Sequence, residues 1–96
     1  MILLVREGGV TLVDLDDLRS LSAQIAGDAA IGTWGRRQDG HVFVTTETLL
    51  RLAGERASDR RWRGEFDGMV DFARRHGWMH GDEVRMHVVA EPDGRR

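Results

Sequence analysis

Histidine is the residue type whose spacing in this chain first suggests chemistry. Three of the four histidines, His76, His80 and His87, bracket one predicted helix, turn and strand. Imidazoles bind zinc or nickel, and three that converge leave a position open for water. The helical i, i+4 pair of zinc proteases is interrupted here, because Gly77 breaks the helix between the first two histidines. We therefore expect no metal ion and no other cofactor, and expect His76 to complement the dipole at a helix C-terminus.

A cleft beside the predicted sheet is a second way to use these side chains. Imidazoles and carboxylates in one pocket can exchange protons at neutral pH without a cofactor. Such a pocket would make the chain a small enzyme of the cyclase or isomerase type, or a ligand-binding protein. Convergence of at least two candidate side chains in one pocket would favour this alternative. The candidates are His41, His76, His80, Asp82, Glu83 and His87.

A hairpin that carries tryptophan and arginine is the first candidate contact surface. Trp34, Arg36 and Arg37 precede a predicted turn at Gln38-Asp39-Gly40. Exposed Trp and Arg side chains anchor many protein interfaces. The alternative is that Trp34 covers the core while the two arginines keep an edge strand soluble.

Two glycines inside a predicted helix mark the second candidate contact surface. Helical-wheel geometry puts Gly64 and Gly68 on the side opposite Trp62, and Phe72 lies next to them. Each glycine costs about 0.8–1 kcal/mol relative to alanine in a helix interior. Glycines four residues apart let another backbone approach closely, so a second copy of the chain would compensate for this cost. The alternative is that Gly64 divides the segment into two shorter helices.

The arginine clusters raise the question of nucleic-acid binding. The chain has 16 acidic and 14 basic residues and a net charge of −2, whereas nucleic-acid binders usually present a strongly basic face. All 14 basic residues are arginine, and lysine, asparagine and tyrosine are absent, a composition typical of a high-GC bacterium. The composition therefore argues against a nucleic-acid partner, which would need five residues on one face: Arg36, Arg37, Arg60, Arg61 and Arg63.

Absent residues and motifs exclude further classes of protein. Without cysteine the chain has no disulfide, iron–sulfur cluster or thiolate zinc site. The sequence contains no glycine-rich phosphate loop and no G-x-S-x-G nucleophile elbow. The apolar run over 1–5 is followed at once by Arg6, so it is too short for a membrane span or a signal-peptide core. We expect a cytoplasmic protein that does not contact membranes.

The candidate residues depend on elements that hydrophobic periodicity and capping residues predict. In chain order these are a hairpin turning at Glu7-Gly8-Gly9, a helix over 15–26 capped by Asp14, a hairpin over 30–45, a helix from Thr45 to Gly54, a helix from Trp62 to His76-Gly77-Trp78, and a strand over 83–90.

The order ββα–ββα–α–β predicts an α+β fold. Strands that come in hairpins favour an antiparallel sheet of four to five strands, with the helices packed on one face. We expect a single domain over 1–91 and a frayed C-terminal tail over 92–96. The predicted core consists of Leu18, Ile25, Leu49, Trp62, Phe66, Met69, Val70 and Val84.

The sequence favours binding over catalysis, because no catalytic constellation is assembled in it. We expect a small cytoplasmic protein-interaction or regulatory module that self-associates as a homodimer or binds a protein partner. The cofactor-independent enzyme or ligand-binding protein is the alternative. The expected interface residues are Trp34, Arg36, Arg37, Gly64, Gly68 and Phe72.

Overall fold

The computed structural model describes residues 1–27 and 29–90, so the predicted tail lies outside the described residues. Within them the chain forms an α+β fold with a sheet of seven strands and two α-helices. Short 3-10 segments precede β4 and follow α1. The elements are β1 (Ile2–Arg6), β2 (Gly9–Val13), β3 (Ser22–Ile25), β4 (Arg36–Gln38), β5 (His41–Thr45), α1 (Thr46–Ala53), α2 (Arg60–Arg75), β6 (Met79–His80) and β7 (Glu83–Ala90).

Both predicted hairpins form. β1 and β2 pair antiparallel around a turn in which Gly8 has a φ of +96°, a conformation that L side chains rarely adopt. β4 and β5 pair around Asp39 and Gly40, whose φ values of 53° and 78° are those of a two-residue hairpin turn. The first strand of this hairpin is shorter than predicted, because Gly32–Trp34 form a 3-10 turn.

The helix predicted over 15–26 is wrong. Its second half, Ser22–Ile25, forms β3, which lies between β1 and β7 and runs parallel to both. Pairing on two edges satisfies the backbone polar groups of this segment and buries Ala23 completely. Tertiary pairing therefore overrides the helical period of the leucines.

The first half of that predicted helix is a loop over 14–21. Asp14, predicted as a helix cap, has a φ of +54° and starts a turn in which Asp17 N–H donates to the Asp14 carbonyl at 3.0 Å. Leu15, Leu18 and Leu21 are half-buried and pack against the core from this loop. The apolar residues thus reach the core without helical backbone.

The sheet is mixed, so the prediction of a purely antiparallel sheet of four to five strands is wrong. Its order is β2-β1-β3-β7-β5-β4, with β6 paired to β7 off this path. β6 meets the start of β7 through Met79↔Val84, and β3 meets the same edge of β7 from His87 onward. Arg85 N–H still donates to the Trp78 carbonyl at 2.9 Å on this edge, so the break between β6 and β3 lies opposite Met86, where the described sheet has no strand, and we call it the sheet gap.

α1 begins at the predicted capping residue, Thr45, whereas α2 begins at Asp59, which was not predicted as a cap. At α1 the Thr48 N–H donates to Thr45 Oγ1 at 3.1 Å, and at α2 Asp59 accepts from the N–H groups of the first turn. α2 runs unbroken through 16 residues, so the alternative that Gly64 divides it is wrong. Neither helix of the described residues is long and apolar enough to cross a membrane.

The core lies between the two helices and one face of the sheet. Strand residues on this face alternate with residues on the opposite, outer face, as the pleat requires. Trp62 and Phe66 of α2 stack with ring centroids 5.3 Å apart and are 3% and 1% exposed. Of the predicted core, Leu49, Trp62, Phe66 and Val84 are fully buried, while Leu18, Ile25, Met69 and Val70 are half-buried against it.

Candidate functional site

A cleft of about 530 Å³ opens beside the sheet gap. The loop before β3, the C-terminal half of α2 and the exposed edge of β7 form its walls. Most of its lining side chains are apolar. The lining residues are Leu18, Arg19, Leu21, His41, Met69, Phe72, Ala73, Trp78, Val84, Arg85 and His87.

The end of α2 fixes the aromatic wall of this cleft. Gly77 has a φ of +76°, and Trp78 N–H donates to the Ala73 carbonyl at 2.8 Å while Gly77 N–H donates to the Arg74 carbonyl at 3.2 Å. This is the Schellman geometry that ends many helices at glycine. It turns the chain back so that Trp78 packs edge-on against Phe72, with ring centroids 5.6 Å apart.

Three rings cluster at this helix end, and we call them the aromatic cluster. His76 lies 4.1 Å from the Phe72 ring and 5.3 Å from the Trp78 ring, measured between centroids. Phe72 and Trp78 are nevertheless 46% and 41% exposed. Large apolar rings held in place yet left in water are a feature of binding surfaces.

Two histidines converge at the cleft from neighbouring strands. His41 on β5 is directly opposite His87 on β7, and their rings meet edge to face with centroids 5.9 Å apart. His41 Nδ1 lies 3.1 Å from the Asp39 carbonyl oxygen, which can only accept, so this nitrogen carries the proton and donates. Two of the six candidate side chains of the predicted cleft therefore lie in one pocket, which is the arrangement that favours the enzyme or ligand-binding alternative.

The other four candidate side chains of the predicted cleft lie elsewhere. His76 belongs to the aromatic cluster, and His80 meets the ring of Phe43 edge-on at 6.2 Å. Asp82 lies in the turn between β6 and β7, and Glu83 forms an ion pair outside the cleft. Among the described residues no three histidine or acidic side chains converge in a way that could hold a metal ion.

Two arginines add positive charge to the lining of the cleft. Arg85 leaves β7 on the same face as His87, and Arg19 comes from the loop before β3. Within the part of the chain that the structure describes, neither guanidinium takes part in an ion pair. Among the residues that the structure describes, no carboxylate lines the cleft.

The loop that carries Arg19 is anchored at several points. Trp62 Nε1–H donates to the Leu15 carbonyl at 2.7 Å, and the Met1 amino group donates to the carbonyls of Asp17 and Ser20, the latter at 2.8 Å. Burial lowers the pKa of this amino group, because removal from water disfavours its charged form. These bonds hold the apolar loop residues against the core, and with them one wall of the cleft.

Arg56, in the 3-10 segment between α1 and α2, also anchors this loop. Its guanidinium makes an ion pair with the Asp16 carboxylate, with Nη2 3.2 Å from Oδ2. The hydrogen bond from Arg56, together with its charge, holds the pKa of Asp16 below the ordinary value of 3.8. The Ser20 hydroxyl, donating at 2.9 Å, lowers the pKa of Asp17 in the same way.

Of the predicted hairpin surface, Arg36 makes contacts within the chain. Arg36 Nη2 lies 3.0 Å from Glu83 Oε1, and the guanidinium lies 4.1 Å from the centroid of the Phe43 ring. Trp34 is half-buried, whereas Arg37 is exposed. The guanidinium of Arg36 therefore already has an anionic and an aromatic partner within the protein.

The glycine surface of α2 is open in the described chain. Gly64 and Gly68 are exposed, and a Cβ atom added at either position would meet nothing within 4 Å. Exposed Phe72 follows one turn later. Arg61 and Arg63 of the same helix pair with Glu65 and Asp67, so part of its positive charge is neutralised locally.

The sequence predicts a cleft beside the sheet and names His41 and His87 among its candidates, but it does not predict the other walls. The leucine spacing instead predicts a helix for Leu18 and Leu21, and Arg19 and Arg85 are not among the candidates. The alternation of Arg85 and His87 along one strand face was a usable signal. The His41–His87 pair could not be predicted from the sequence, because it depends on the register between β5 and β7.

Comparison with models of protein families, with curated proteins and with solved structures finds no match.

Proposed function

We propose that this protein is a non-enzymatic, cytoplasmic binding module whose ligand occupies the cleft beside the sheet gap. The observation that carries the proposal is a cleft of about 530 Å³ in which His41 and His87 converge between apolar walls. Small-molecule sites are typically about 300–1,000 Å³ in volume, largely apolar, and provided with a few polar groups that set orientation.

Binding is favoured over catalysis by the polar groups of the cleft. General acid–base chemistry at neutral pH usually pairs an imidazole with a carboxylate that orients it or exchanges its proton. The described part of the cleft lining has imidazoles and guanidiniums without a carboxylate, and Asp82 and Glu83 do not line it. A site of this composition holds a ligand more readily than it transforms one.

A fragment screen followed by amide and indole NMR shifts of isotope-labelled protein tests this proposal. We expect binding fragments to shift the signals of Leu21, Trp78 and His87 together. Leu18→Trp, which places an indole in the cleft, should abolish these shifts, whereas Leu50→Trp on α1 should not. Fragments whose shifts scatter over the surface, or that bind equally well to Leu18→Trp, would contradict the assignment of the cleft.

Self-association through the outer face of α2 is the second candidate function. The observation that favours it is the open space at Gly64 and Gly68 beside Phe72, which is 46% exposed. A closed two-fold dimer is the commonest way for a small protein to cover such a surface. Light scattering should then give a dimer for the wild type and a monomer for Gly68→Leu, and a wild type that is monomeric at high micromolar concentration would overturn this candidate.

A further inference from the structure

We infer that the ligand of the cleft is a small organic anion, an aromatic or branched aliphatic carboxylate. This inference rests on the proposed function of the cleft and adds the chemical class of its ligand. It follows from the charge of the lining residues, from the hydrogen bonds that the carbonyls at the end of α2 accept, and from the apolar side chains of the walls.

The charge of the cleft is opposite to that of the protein as a whole. The chain carries 16 acidic residues and a net charge of −2, yet the described residues that line the cleft supply two guanidiniums, two imidazoles and no carboxylate. A guanidinium is charged at every physiological pH and binds a carboxylate through two parallel N–H···O bonds. Arg19 and Arg85 are not engaged in ion pairs within the described residues, so an anion would be their first strong partner there.

The end of α2 does not oppose an anion at this place. The last carbonyls of a helix carry partial negative charge and would repel a carboxylate. Here the carbonyls of Phe72, Ala73 and Arg74 accept hydrogen bonds from the N–H groups of His76, Trp78 and Gly77, at 3.1, 2.8 and 3.2 Å respectively. These three carbonyls therefore already have donors within the chain, two of them from the Schellman turn.

The apolar walls select the body of the ligand. Leu18, Leu21 and Met69 offer aliphatic surface, and Phe72 and Trp78 offer ring edges and faces to an arene. In such surroundings the effective dielectric constant is lower than in water, so the guanidiniums attract an anion more strongly. A carboxylate is favoured over a phosphate ester, because phosphate sites usually use backbone N–H groups at a helix N-terminus, whereas this cleft adjoins a C-terminus.

Titration of the full chain with matched probes tests this inference, with Trp fluorescence or calorimetry as readout. Naphthylacetate carries the charge, naphthylacetamide is its neutral counterpart, and naphthyl phosphate and a short Asp/Phe peptide represent the other anion sources. We expect naphthylacetate to bind at least about tenfold more tightly than the amide, in line with a charge-assisted pair of hydrogen bonds. Added salt should weaken binding of the acetate and leave binding of the amide unchanged.

Variants separate the role of the guanidinium from a loss of structure. Arg85→Gln should lower naphthylacetate affinity about tenfold and leave that of the amide unchanged, and Arg19→Gln should act in the same direction. Arg85→Lys should restore part of the affinity, since it keeps the charge but not the two-bond geometry. Arg75→Gln, an exposed arginine of α2 that does not line the cleft, is the control and should change neither affinity.

Each other outcome overturns a defined part of the proposal. Equal binding of acetate and amide would overturn the anionic ligand while the binding function of the cleft stands. Tighter binding of naphthyl phosphate, or of the Asp/Phe peptide, would replace the carboxylate by that ligand class. Absence of binding by all four probes, together with a fragment screen without shifts at the cleft, would overturn the proposed function as well.

Discussion

Asp16 and Arg56 show how an exposed pair of side chains can fix a loop that shapes a cleft. Their bond joins the loop before β3 to the segment between α1 and α2, far apart in sequence. The pair is open to solvent, so its value lies in position more than in energy. It restrains the same loop that presents Arg19 to the cleft.

The Asp16–Arg56 pair should make stability depend on pH in the acid range. Because Arg56 lowers the pKa of Asp16 below 3.8, the folded chain binds this proton less readily than the unfolded chain. The stabilisation is therefore present above the unfolded pKa and is lost as the pH falls through the folded pKa. Urea unfolding at a series of pH values should show wild type more stable than Asp16→Asn near neutrality, with the difference vanishing in strong acid.

Arg56→Gln removes the same bond from the other side and is the matched control. It should abolish the same part of the pH dependence, and the double variant should lose no more than either single one. A difference between wild type and Asp16→Asn that persists in strong acid would show that the bond to Arg56 is not its source.

At the scale of elements, the β4–β5 hairpin depends on Gly35, because a side chain at this position would clash with the neighbouring strand. Gly35 has an extended backbone with a φ of 176°, so its φ is open to any residue. A Cβ atom there would lie 2.5 Å from the Phe43 carbonyl oxygen and 3.0 Å from Val44 Cγ2. The close approach lets the chain leave the 3-10 turn and enter β4.

Gly35→Ala should therefore destabilise the protein by about 1–3 kcal/mol, as overpacking generally does. Gly9→Ala is the matched control: a Cβ atom at Gly9 meets nothing within 4 Å and its φ lies outside the left-handed region. The control should gain about 0.4–1 kcal/mol through the lower entropy of the unfolded chain. Equal effects of the two substitutions in urea unfolding would refute the steric argument.

The elements also show what local sequence can and cannot reveal. The caps at Thr45 and Asp59 and the glycine end at Gly77 act through bonds a few residues long, so the ends of both helices were largely predictable. β3 was not, because Leu21 and Ile25 are four residues apart, a spacing that suits both a helix and a strand. Only pairing with two strands distant in sequence decides between them.

The same limit explains the candidate site. The sequence named His41 and His87 among six polar candidates, but their meeting depends on the register between β5 and β7. The cleft exists because β6 and β3 stop short of each other along β7, and no local pattern encodes that gap. The sequence identifies the two histidines as candidates, but it does not show that they lie side by side.

At the scale of the whole molecule, stability depends on a small core centred on the stacked pair of α2. Phe66 is 1% exposed and Phe72, on the same helix, is 46% exposed. The first ring fills the centre of the fold and the second borders solvent. The two phenylalanines therefore offer the same substitution in opposite surroundings.

Phe66→Ala should destabilise the protein by about 3–5 kcal/mol, because it removes apolar burial and leaves a cavity. Phe72→Ala should cost less than about 1 kcal/mol, since much of that ring is already in water. Chemical unfolding of both variants measures the difference. A cost below about 1 kcal/mol for Phe66→Ala would mean that the face of α2 turned toward the sheet has been misassigned.

The central position of β7 has a consequence for synthesis on the ribosome. β7 is the last of the described strands in chain order, and among the described residues it alone links β2-β1-β3 on one side to β5-β4 on the other. Until it emerges, β3 and β5 present open edges, and unpaired strand edges are the sites where nascent chains associate wrongly. The earlier strands must therefore wait, exposed or chaperoned, until β7 has been translated, so the two halves of this sheet cannot join before β7 emerges.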